Sequence, residues 1–102
     1  MPTTQNQLCQ AITSKLTISF TKNGDPEDDP RIGEPHLVFV STRGKAQVAV
    51  FQTAGYSSSG QLPQWRNFDV ETISLLTILN IAFIPRTDFN RQHPMYAQVI
   101  CG

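Results

Sequence analysis

Hydrophobic residues along the chain change their spacing once, early. Between Thr3 and Ser14, Leu8, Ala11 and Ile12 recur at three- and four-residue steps, which predicts a short helix over 3–14 with a threonine as its cap. From Lys15 onward the period is two. In KLTISFTK, Leu16, Ile18 and Phe20 alternate with Thr17, Ser19 and Thr21, the pattern of a half-buried strand. NGDPEDDP interrupts it with turn chemistry and two prolines, and is expected to be a solvated loop. RIGEPHLVFVST predicts a second strand, with Pro35 at an edge or a bulge. TRGK is a tight turn, and AQVAVFQTA a returning strand with Ala46, Val48 and Val50 on one face and Gln47, Ala49 and Phe51 on the other. GYSSSGQLPQ is a flexible connection. WRNFDVET is a further strand, and the apolar run ISLLTILNIAF reads as a buried strand entered by a bend near Thr72. The tail closes on a strand or short helix at Tyr96 to Cys101.

One helix followed by five short strands predicts a small five-stranded barrel, a closure that removes sheet edges from so short a chain. The 102 residues suit one domain, with the barrel over 15–82 and a C-terminal extension over 83–102. No apolar run reaches the roughly 18 to 20 residues needed to cross a bilayer, and no leader pattern opens the chain, so a cytoplasmic location is expected. Cys9 and Cys101 form no metal spacing. They read first as two reduced thiols, ahead of a disulfide joining the ends.

Charge modifies this picture modestly. The formal net charge is zero, yet four of the eight acids (Asp25, Glu27, Asp28, Asp29) crowd into one loop, leaving a mildly basic body. One position stands out. In QWRNFDV, Arg66 shares the face of Phe68 and Val70, so a guanidinium is placed in line with the core. Either it meets an anion at the mouth of the barrel, with Arg31 from a neighbouring strand completing a two-arginine site, or it pairs with Glu34, Asp69 or Glu71.

The ordered segments RIGEPH, STRGKAQVAVFQ and WRNFDVETISLL resemble the WYL domain, a small Sm-like or SH3-like barrel of bacterial transcription regulators. Arg31, Glu34 and Pro35 match its opening, Gly44 its turn, and Arg66 with Phe68 its closing strand. The tail PRTDFNRQHPMYAQVI is similar to the ending of stand-alone WYL-like proteins. Ala46, Gln47 and Val48 stand where the name-giving tripeptide falls, and Glu71, Thr72 and Ile73 replace a segment that often carries an arginine.

The resemblance implies a module that senses a ligand or nucleic acid and serves transcriptional regulation or bacterial defence. Its expected ligand is single-stranded nucleic acid or a nucleotide-like anion, held by Arg31 and Arg66 with Gln47, Tyr56 and Trp65 around the mouth. Trp65 has a plainer reading as a cover on the barrel's underside, and GYSSSG as a linker. No metal set, cofactor motif or nucleophile with a base is legible, so a non-enzyme is expected. A regulator or effector protein, or a second copy, remains open as partner. The competing function is a protein-interaction module that docks through exposed strands or the tail.

Overall fold

The computed structural model describes residues 3–58 and 60–102. One helix, α1 (Thr4–Ser14), precedes six strands: β1 (Leu16–Lys22), β2 (Arg31–Val40), β3 (Ala46–Ala54), β4 (Gln64–Asp69), β5 (Ile73–Ala82) and β6 (Gln98–Cys101). The helix begins where the Thr3 hydroxyl accepts the Asn6 N–H at 3.1 Å. It ends at Lys15, whose left-handed backbone (φ 56°) turns its N–H onto the carbonyls of Ala11 and Ile12. Leu8 and Ala11, from the predicted stripe, are fully buried.

All strand pairs are antiparallel, in the order β4-β3-β2-β1-β5, with β6 added against β2. The spine is β2. On one side β3 follows it from Ile32 to Val40; on the other β1 takes its first residues and β6 takes Val38 to Val40. Between those two neighbours lies Pro35, where a missing N–H costs no ladder bond, and the register against β3 shifts between Pro35 and Leu37. The bulge reading of this proline therefore holds.

Alternation sorts side chains into two cores. On the inner face Ile18, Phe20, Val38, Val48, Val50 and Phe68 pack with Leu8 and Ala11 of α1. On the outer face Leu37, Phe39 and Ala49 are covered by Phe89 and Tyr96 of the C-terminal extension. Phe20 meets Phe68 edge-on, and Phe39 meets Tyr96 the same way.

Four expectations are corrected. The protein is mainly β with one N-terminal helix, but the sheet is not closed: β4 and β5 stand at its two ends and share no ladder. The strands number six instead of five, because the tail, expected to close on a strand or short helix at Tyr96 to Cys101, forms β6 after a 3₁₀ turn at Pro94–Tyr96 and joins the sheet. The run in β5 is not buried beyond Ile73, because an end strand has a neighbour on one side only; Leu75 and Ile81 are 63% and 57% exposed. Cys9 and Cys101 are not free thiols but a disulfide that ties α1 to β6, with Cα atoms 5.8 Å apart. Their sequence distance concealed that β6 returns along β2, beneath which the helix packs.

Candidate functional site

Arg31 opens β2 on the inner face and is 1% exposed. A charge so deep needs complete pairing. Its Nε and Nη2 donate to the two oxygens of Asp25 at 2.7 and 3.0 Å, and Nη1 donates to Gln52 Oε1 at 3.2 Å. Asp25, expected on a solvated loop, is instead folded inward and also accepts the Lys22 N–H at 2.8 Å. Burial alone raises the pKa of the Asp25 carboxyl. The Arg31 hydrogen bond, the Lys22 amide and the charge of Arg31 outweigh it and hold the carboxyl below its ordinary value.

Gln52, fully buried, passes the arrangement on to the serine loop by donating to Ala54 O at 3.2 Å and Tyr56 O at 2.7 Å. Gly55 makes that approach feasible. Its φ is +87°, and a Cβ there would lie 2.0 Å from the carbonyl oxygen of Pro30. Tyr56 is thereby brought over Arg31, whose Cζ lies 5.3 Å from the Tyr56 ring and 5.1 Å from that of Phe68.

Arg66 approaches the same Phe68 ring, with its Cζ 5.6 Å from the centroid. The sequence parity was right: Arg66 pairs in register with Val50 and Phe68 with Val48, all on the inner face. Both arginines thus flank one phenyl ring, but their electrostatic states differ. Arg31 is neutralised by Asp25, whereas among the described residues half-buried Arg66 makes no ion pair. The acids it was weighed against are engaged elsewhere: Glu34 with Arg86, Asp69 with Gln47 at 2.7 Å, and Glu71 with Lys45.

Gln47 and Trp65 point to the opposite face and do not join the arginines. Trp65 stacks on Phe89 at 5.0 Å and meets Phe51 and His36 edge-on. His36, 6% exposed, fastens the extension to β2: one ring nitrogen accepts the Arg86 N–H at 3.0 Å and the other faces Glu34 O at 2.9 Å. Burial leads the causes that lower its pKa, so the neutral ring is favoured. The Arg86 side chain forks onto both oxygens of Glu34 and covers the Phe51 ring at 4.2 Å. Residue-type reasoning missed Asp25, Gln52 and Arg86. Only Gln52 left a signal, as a polar side chain at the inward parity of Val48 and Val50.

Of the clefts outside the arginine cluster, two are lined by aromatic side chains. One, of about 350 Å³, runs between the end of α1 and the extension, with Lys15 and Arg91 above His36 and Phe83. The other, about 150 Å³, is walled by Trp65, Asp88, Phe89, His93, Met95 and Tyr96. Among the described residues no three His, Cys, Asp or Glu side chains converge as a metal set. Among those residues no helix is long and apolar enough to cross a membrane. No family model, curated protein or solved structure matches the chain.

Proposed function

We propose that the protein is a non-catalytic binding module that takes a phosphate-bearing ligand, a nucleotide-like effector or a single strand of nucleic acid, at the Arg66 end of its inner face. One observation carries the reading: a half-buried guanidinium, aligned over Phe68, that no carboxylate among the described residues satisfies. Such a fork presents donors at low reorganisation cost and fits phosphate bidentately. Arg31 serves as a positioning residue in this scheme, since Asp25 already neutralises it, and Tyr56 supplies the adjoining aromatic face. Gln47 and Trp65 fall outside the ligand set.

The strand order, with a 3₁₀ turn at Val70–Thr72 between β4 and β5, supports reading the sheet as an open Sm/SH3-like barrel, while its WYL kinship rests on the sequence resemblance alone. A role in transcriptional regulation or bacterial defence rests on that resemblance. A cytoplasmic setting would require the Cys9–Cys101 bond to persist against a reducing thiol pool.

The test is fluorescence anisotropy with a labelled oligothymidylate across a salt series. Binding should weaken as salt rises, and Arg66→Ala should reduce affinity about ten-fold, the scale of one charge-assisted hydrogen-bond pair. Arg66→Ala with unchanged affinity and an unchanged melting curve overturns the assignment.

The competing reading, a protein-interaction module, is favoured by β5. This ten-residue strand carries no charged side chain and, among the described residues, has no strand on its outer side. Its occupant would be an extended partner segment, because an unpaired row of N–H and C=O groups is answered by another strand. Under that reading oligonucleotides do not bind, and Ile81→Lys abolishes partner capture.

A further inference from the structure

The 150 Å³ pocket beside Trp65 differs in chemistry from the arginine cluster on the other face. Its walls are aromatic: Trp65 stacks on Phe89 with centroids 5.0 Å apart, Phe89 leans on Tyr96 at 5.3 Å, and Tyr96 meets His93 at 6.2 Å. Met95 adds a polarisable thioether, held where its sulfur accepts the Asn67 amide at 3.7 Å. No lysine or arginine lines the pocket, and its one charged group is Asp88. Asp88 is fixed at the wall by Trp65 Nε1, which donates to Oδ2 at 3.3 Å. Arg86, two residues before Asp88 in sequence, is already committed, since it spends its fork on Glu34.

Ring faces present negative quadrupole potential, and a carboxylate adds a full negative charge. An anion is disfavoured in such a place and a neutral apolar group gains only contact area. A soft, weakly hydrated organic cation gains from both the rings and the carboxylate. The small volume selects a compact head rather than a long chain.

We propose that this pocket binds a quaternary or alkylated ammonium group, with Trp65, Phe89 and Tyr96 as the aromatic walls and Asp88 as the counter-charge. The assignment is independent of phosphate binding at Arg66, which lies on the opposite face of β4.

Trp65 is the chain's single tryptophan, so its emission reports the pocket directly. Choline is titrated into the intact, disulfide-bonded protein at constant ionic strength, with sodium chloride replaced mole for mole. Its uncharged isostere 3,3-dimethylbutan-1-ol is titrated in parallel. The expected result is a saturable change in emission with choline, half-complete in the millimolar range, and binding of the isostere weaker by about five-fold or more. Asp88→Asn, on an exposed turn, should weaken choline by a similar factor while leaving the response to the isostere unchanged. Absence of saturation with choline, equal binding of the neutral isostere, or an unaltered choline titration in folded Asp88→Asn each overturns the proposal. Should the variant fail to fold, the comparison of the two ligands on the wild-type chain decides it alone.

Discussion

The inward arginine of β4 and the inward arginine of β2 show how one residue type takes opposite roles around a single phenyl ring. Arg31 is a structural ion: removing its partner would strand a buried charge, at a cost of about 3–5 kcal/mol. Asp25→Asn is therefore expected to lower unfolding free energy by that order in urea titrations. Replacing both residues by apolar ones of matching size should recover most of the loss. The Asp25 carboxyl is held below its ordinary value of 3.8, so its contribution is complete above about pH 4 and is lost as pH falls through the depressed folded value. The wild type should thus lose stability in that acid range by a margin that Asp25→Asn does not show. Arg66 has no such partner, and its replacement is expected to leave melting nearly unchanged. Parity along β4 disclosed that Arg66 faces inward. Nothing local disclosed that Asp25 folds back to claim Arg31, because a carboxylate six residues away across a turn looks the same on paper whether solvated or paired.

Among the elements, strands were the most legible and the extension the least. Period-two alternation placed β1, β3 and β4 closely, since along each the larger inner-core side chains keep to one parity. β2 is buried without interruption from Pro35 to Phe39 because α1 packs under one face and the extension over the other. β5 carries an apolar run of similar length, yet beyond Ile73 it is at most half-buried, with Leu76 and Ile78 against the inner core, so hydrophobic content reveals strand type but not the number of layers above it. Leu75 adds a local cost: it holds a left-handed φ of 53° beside a bulge opposite β1, a conformation bulky side chains seldom adopt. The extension docks through His36, whose burial favours the neutral ring. Burial depresses its pKa from the ordinary value of 6.5, so its contribution is full above pH 6.5 and declines as pH falls towards the lower folded value. Urea midpoints should drop between pH 7 and pH 5.5, and His36→Phe should flatten that drop while loosening the segment around Arg86 in hydrogen exchange.

For the whole molecule, the helix-plus-β class was readable from the chain, whereas closure was not, because closure depends on where the end strands finish in space. The ends themselves are fastened by the Cys9–Cys101 bond, 92 residues apart in sequence. Loop-closure entropy for a span this long is worth about 4–5 kcal/mol, so Cys9→Ser should lower stability by 2–5 kcal/mol in denaturant titration. The covalent ring has a second consequence. A protease that nicks the serine-rich connection before β4 generates two pieces that cannot drift apart, so the clipped protein migrates as one species until a reductant is added. Severing the backbone and dispersing the molecule are thereby separate events, and the second awaits a change in redox conditions.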